Sequence, residues 1–263
     1  MERSIHDIAS LRGRSSGPSP GPRRAGQRGR RGQGSKYWGQ SSRLPRYLPL
    51  IGGKHTIGYK RRPEGATVSR MPTRISVVET REEPLSELHR HATIPSFFET
   101  WTVLDACEGA HGLELRERRR DLPFRKDYDS IEDPLAWPAR FDVSNWTLIA
   151  AFNETGRVGG AICAFDTPDV DMLDGRSDLV VLWDLRVSPA AQRRGVGSAL
   201  FRSVEAWARA RNCREVKVET QNTNVPACRF YARQGCVLKQ VNYNAYPGLP
   251  DEVQLIWRKV VSG

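Results

Sequence analysis

Apolar residues along this chain recur with changing periods, and the changes mark its elements. Residues 146–153 and 157–165 are nearly continuous apolar runs around Glu154-Thr155-Gly156, which predicts a buried hairpin. Residues 179–187 form a third apolar run of strand length, rich in β-branched and aromatic side chains. The period then lengthens: Val196, Leu200, Val204 and Trp207 share one face of a helix over 197–211. Residues 215–220 predict another strand. Residues 224–234 predict a second helix, with Pro226 in its first turn, where a missing N–H is no loss, and Gly235 as its stop. A strand pair over 237–241 and 252–261 closes the pattern.

The earlier part is less regular. Residues 74–80 read as a first strand and 83–91 as a short helix with Pro84 near its start. Within 94–107, Phe97, Phe98, Trp101, Leu104 and Cys107 fall on one side of a helix, so a helix is expected there. Residues 113–120 are strongly charged, and their run of Arg116, Glu117, Arg118, Arg119 and Arg120 is expected to be a solvated face. Residues 128–141 read as a loop holding Pro and Trp, and 166–178 as an acidic loop. The order of elements predicts a single α/β domain around one mixed sheet of about seven strands.

Composition divides the chain in two. Its net charge is +11, but residues 1–70 hold 16 Lys/Arg against 3 Asp/Glu, and the remaining 193 residues hold 25 against 27. The basicity therefore sits in a leader of Ser, Gly, Pro and Arg that cannot bury enough apolar surface to offset chain entropy, and disorder is expected over 1–70. Three readings of that leader stay open: an arginine-glycine tail for RNA, an Arg-rich transit peptide, or sequence upstream of a start at Met71. The domain proper is assigned to 71–263. No apolar run reaches the ~20 residues that span a bilayer, and no secretory signal is evident. Five cysteines without a C-x-x-C pair point to free thiols in a reducing cytoplasm. His89 and His91 lack a third ligand, so no metal site is expected.

The stretch Gln192-Arg193-Arg194-Gly195-Val196-Gly197 lies between the 179–187 strand and the helix that follows. A strand, a glycine loop and a helix start make an anion cradle: the glycines let the backbone approach an oxyanion, and the first helical N–H groups have no internal partner. This is not a P-loop, because Gly197 is followed by Ser198-Ala199 rather than Lys-Ser or Lys-Thr. It is not a dinucleotide fingerprint either, because Leu200 stands where the third glycine would be.

Leu185-Arg186-Val187-Ser188-Pro189 through Gly197, with Asn224-Val225-Pro226-Ala227-Cys228-Arg229-Phe230-Tyr231-Ala232-Arg233-Gln234-Gly235 downstream, resembles the GNAT superfamily of acyl-CoA-dependent N-acyltransferases. Residues 181–187 and 216–222 further resemble streptothricin acetyltransferases and their bacterial relatives. The resemblance covers residues 74–261. It implies a mostly antiparallel sheet with a splayed central strand pair, with 128–141 near the acceptor. It also implies acetyl-CoA as cosubstrate, held by the main chain of Leu185, Arg186 and Val187, by the loop of Gln192, Arg193, Arg194, Gly195, Val196, Gly197 and Ser198, and by Asn224, Ala227 and Tyr231. Where the family has Gly-Phe after this motif, this chain has Gly235-Cys236.

The implied chemistry moves two protons. Tyr231 matches the family tyrosine that faces the sulfur, and a phenol with pKa about 10 can donate to a leaving thiolate. Asp184 and Glu219, mid-strand in apolar company, are the candidates for the base that takes the ammonium proton, directly or through a water. A base there would need its pKa raised by burial. The expected acceptor is a small cationic amine, with the β-lysine moiety of streptothricin as the named candidate, and the acidic 166–178 loop as one source of attraction. A polyamine, an aminoglycoside, a peptide lysine, or a non-catalytic acyl-CoA-binding protein remain alternatives. A homodimer is compatible with the reading; membrane association is not expected, nor nucleic acid beyond the leader.

Overall fold

The computed structural model describes residues 78–261 except His111, Pro247 and Pro250. The leader over 1–70, Met71 and residues 74–77 of the first expected strand lie outside the described residues. Seven strands form one sheet: β1 (Glu79–Glu83), β4 (Thr147–Asn153), β5 (Gly156–Phe165), β6 (Leu179–Val187), β7 (Glu215–Gln221), β9 (Gln254–Val260) and β8 (Val237–Asn242), in that spatial order. All neighbours are antiparallel except β6 and β7. β4 to β9 fall on the expected strands with ends shifted by a few residues, whereas β1 overlaps the first expected strand only at Glu79 and Thr80.

Four short or medium helices flank the sheet: α1 (Leu88–Ala92), α2 (Trp137–Arg140), α3 (Val196–Ala210) and α4 (Val225–Arg233). The apolar stripe of α3 (Val196, Leu200, Phe201, Val204, Trp207) packs with Val225, Cys228 and Tyr231 of α4 against Val180 and Leu182 of β6. Leu88 of α1 and Trp137 of α2 pack with Leu179, Val181 and Trp183, which alternate to the other face. The sheet is thus sandwiched, with α3 and α4 on one side and α1 and α2 on the other.

The helix expected over 94–107 is not formed. Residues Phe97–Gly109 are strand β2, paired antiparallel with β3 (Gly112–Asp127) as a two-stranded arm separate from the main sheet. The register breaks where Thr100 faces Phe124 but Thr102 faces Arg119, so residues 120–123 bulge opposite Trp101. That break shifts the strand's inward phase from Phe98 and Thr100 to Val103 and Leu104, while Phe97 and Trp101 of the apparent helical stripe stay exposed. The content of 97–103, three aromatics, two Thr and a Val, favours a strand. The arm is anchored across α4: Leu104 N–H donates to Asn222 O at 3.0 Å, Asn222 Nδ2 donates to Leu104 O at 3.2 Å, and Arg229 pairs with Glu117.

Candidate active site

A cavity of about 1000 Å³ opens where β6 and β7 separate. Their parallel pairing covers only Leu179–Val181 against Glu215–Lys217. Beyond it β6 stays paired with β5 as far as Val187, and β7 stays paired with β9 as far as Gln221. Each strand therefore follows its outer neighbour, and the edges facing each other across the gap are left unpaired from Leu182 and Val218 onward. An unpaired edge offers main-chain donors and acceptors to an extended, amide-containing ligand.

At one end of the cavity lies the start of α3. The first main-chain bond of the helix runs from Ala199 N–H to Gly195 O at 2.9 Å, and no side chain caps the terminus. The N–H groups of Val196, Gly197 and Ser198 are therefore left for an external acceptor. Arg193 and Gly195 both take left-handed backbone, φ 59° and φ 86°, which turns the chain sharply into the helix. A side chain at Gly197 would also be tight: a Cβ there would stand 3.2 Å from the Phe230 ring of α4. Gln192, Arg193, Gly195, Gly197 and Ser198 line the cavity, joined by Arg229 and Arg233, one turn apart on α4. Arg194 does not line it, and the Val196 side chain is buried in the core, so at Val196 only the main chain is available to an anion. Gly197→Val is expected to raise the KM for an anionic nucleotide about tenfold. It should also lower Tm by several degrees through overpacking, readable by initial-rate kinetics and thermal melting.

Asn224 caps α4, its Oδ1 accepting from Ala227 N–H at 3.1 Å, and both residues line the cavity. Tyr231, one turn on, lines it too. Its ring is buried against Phe201 and Phe230 at 6.0 and 5.1 Å, and no group among the described residues hydrogen-bonds its hydroxyl. Burial pushes its phenol well above the ordinary tyrosine range.

The two carboxylates are in different settings. The β5–β6 register skips Trp183, pairing Ile162 with Asp184 but Cys163 with Leu182. This bulge reverses the phase of β6: Leu185 and Val187 join the α3 cluster, away from Trp183, and Asp184 and Arg186 turn toward α1. Asp184 Oδ2 accepts from His91 Nε2 at 3.0 Å and from Arg186 Nε at 2.6 Å. Arg186, its side chain buried, also donates to Asp129 Oδ1 at 2.6 Å and Ile94 O at 3.0 Å. Burial opposes the charge on Asp184, but the hydrogen bond from His91 and the charges of Arg186 and His91 outweigh it. Its carboxyl is held far below the usual carboxylate range. This differs from the raised pKa expected of a base at Asp184. The Arg186 side chain likewise serves the Asp184 cluster, leaving only its main chain to a cosubstrate.

Glu219, on β7, lines the cavity, and no cation among the described residues pairs with it. Its Oε1 accepts from Tyr246 O–H and its Oε2 from Gln254 Nε2, both at 2.7 Å. A chain of donors leads to it from the Asn224 end of the cavity. Asn224 Nδ2 donates to Tyr128 O–H at 3.1 Å, Tyr128 donates to Gln221 Oε1 at 2.6 Å, and Gln221 Nε2 donates to Tyr246 at 3.0 Å. Sequence reasoning missed Tyr128, Tyr246 and the two arginines of α4; only the four-residue spacing of Arg229 and Arg233 carried a signal. The acidic 166–178 loop does not line the cavity. Asp174 is taken by Lys217 and Arg258, and Asp178 by Arg176 and Arg214.

Residues 113–236 match the model of the acetyltransferase (GNAT) family. Those residues form a GNAT acetyltransferase domain. The chain is 27% identical over 158 residues to a streptothricin acetyltransferase of Escherichia coli, covering 59% of this chain and 80% of that one. The fold is shared with two solved structures. One is nourseothricin acetyltransferase (TM-score 0.56, 22% identity, 70% of this chain and 98% of that one). The other, from Bacillus anthracis str. Ames, is provisionally assigned as a streptothricin acetyltransferase and was solved with acetyl coenzyme A (TM-score 0.57, 21% identity, 70% and 99%). Enzymes of the GNAT family use acetyl-CoA as acyl donor. Among the described residues of this chain, no helix is long and apolar enough to cross a membrane, and no group of three His, Cys, Asp or Glu side chains could hold a metal ion.

Proposed function

We propose that this GNAT enzyme transfers an acetyl group from acetyl-CoA to a primary amine of a small cationic acceptor, in a ternary complex. The observation that carries the reading is the gap between β6 and β7, with an uncapped helix N-terminus at one end and the Tyr231 hydroxyl in its wall. The pyrophosphate takes the N–H groups at the start of α3, with Arg193 and Arg233 as nearby positive charge. The pantetheine arm pairs with the open edge of β6 and with Asn224. The acceptor arrives as an ammonium, and Glu219 takes its proton through a water. The amine nitrogen then attacks the thioester carbonyl carbon, the N–C bond forms as the C–S bond breaks, Tyr231 gives its proton to the departing sulfur, and the surplus proton on the newly acylated nitrogen passes back to restore the phenol.

The similarity to streptothricin acetyltransferases favours streptothricin, through its β-lysine amine, as the acceptor to try first. The test is thiol release from acetyl-CoA against streptothricin, polyamines, aminoglycosides and lysine peptides, beside calorimetric binding of coenzyme A. Binding with turnover of at least one amine is expected. Binding without turnover of any would leave an acyl-CoA-binding protein, and absence of binding would remove the reading altogether.

A further inference from the structure

We infer that Asp184 is a fixed anionic anchor for a second cationic centre on the acceptor, so that the preferred acceptors carry two positive charges. The inference rests on the functional reading above and names the acceptor class for the same cleft. Asp184 lines the cavity with 16% of its side chain exposed. Its Oδ2 is fully engaged by His91 and Arg186, but no group among the described residues bonds its Oδ1. One oxygen locks the carboxylate in place and the other is presented to the cleft.

Arg186 does not cancel that charge. Its other contacts are Asp129 Oδ1 and Ile94 O, so one guanidinium is shared between two carboxylates. The anchor is also rigid. His91 is fully buried and abuts Gly160, where even a Cβ would stand 2.4 Å from its Nδ1, so the imidazole cannot withdraw toward the sheet. Trp183, beside Asp184, and Trp137 line the same cavity edge to face, with ring centroids 6.3 Å apart. Aromatic walls next to a fixed carboxylate suit an alkylammonium, which gains from both. The wall across the gap is β7, where Glu219 is held by neutral donors alone. The two strands therefore divide the work. The carboxylate on β7 takes the proton from the reacting amine, and the carboxylate on β6, which cannot be protonated at neutral pH, holds a charge that must stay.

The test compares α,ω-diaminoalkanes of three to six carbons with monoamines of equal length. Each is titrated against the coenzyme A-bound protein by tryptophan fluorescence, for the wild type and Asp184→Asn, with coenzyme A affinity measured separately by calorimetry. In the wild type at least one diamine should bind about tenfold more tightly than its monoamine. Asp184→Asn should abolish that preference, leave the monoamine within about threefold, and leave coenzyme A affinity unchanged. A wild type that does not prefer any diamine overturns the inference, whether or not the variant folds. So does a folded Asp184→Asn that keeps the preference. Loss of coenzyme A binding in the wild type would instead remove the acetyltransfer reading, so the two failures are told apart.

Discussion

Tyr231→Phe is expected to lower kcat by about 100-fold or more while changing the Kd for coenzyme A less than twofold. The variant deletes one oxygen that has no hydrogen-bond partner among the described residues, and it keeps the ring packed on Phe201 and Phe230. Little stability should be lost, because no intramolecular hydrogen bond is broken. What disappears is the proton delivered to the departing sulfur, a group needed only as the C–S bond breaks, so kcat falls and cosubstrate affinity does not. Burial raises the phenol pKa, so Tyr231 stays protonated through the neutral range and no fall in rate should come from its ionisation below about pH 10. The same sign governs stability. Tyr128, Tyr231 and Tyr246 all have raised pKa values when folded, so their contribution is intact below about pH 10 and is lost as pH rises above it. Single-turnover thiol release, beside calorimetry, checks the prediction; full turnover in the phenylalanine variant would strip Tyr231 of its role.

The apolar runs located β4, β5 and β6 because both faces of the sheet are covered there, and buried strands read as continuous hydrophobic stretches whatever their neighbours are. The uncapped start of α3 and the Asn224 cap were legible for a related reason: glycine at 195 and asparagine three residues before Ala227 state local backbone geometry. The arm was misread. Its strands are mostly solvated, alternate poorly and are interrupted at Trp101, so an aromatic spacing of three and four took on a helical look. The role of Asp184 was hidden by a single inserted residue. Alternation places Asp184 opposite Trp183, Leu185 and Val187 together, but the bulge at Trp183 separates those three and delivers Asp184 to His91, 93 positions earlier. No local pattern announces a bulge or a partner at that distance. Tyr246 reaches Glu219 from the turn between β8 and β9, where the sequence gives no periodic signal at all.

That separation of the two carboxylates makes Glu219→Gln the sharper test of the base. At pH 7 its kcat/KM is expected to fall about 100- to 1000-fold, with coenzyme A affinity unchanged. The glutamine keeps the volume of the side chain and can still accept from Tyr246. It turns one oxygen into an N–H₂ facing Gln254 Nε2, a clash of donors that costs about 1–3 kcal/mol unless Gln254 rotates. Melting should therefore accompany the kinetics, to show that the loss is chemical. The decisive readout is the pH profile. Without a base, only acceptor already deprotonated in solution can attack, and an alkylammonium has a pKa of about 10.4. The residual rate of Glu219→Gln should then climb about tenfold per pH unit from 7 to 9, while the wild type flattens earlier. Asp184→Asn should leave that profile at its wild-type shape, because a carboxylate held ionised by His91 and Arg186 has no proton to exchange in this range. A parallel climb in Asp184→Asn and not in Glu219→Gln would place the base on β6 instead, and would require the contacts at Asp184 to loosen when both substrates are bound.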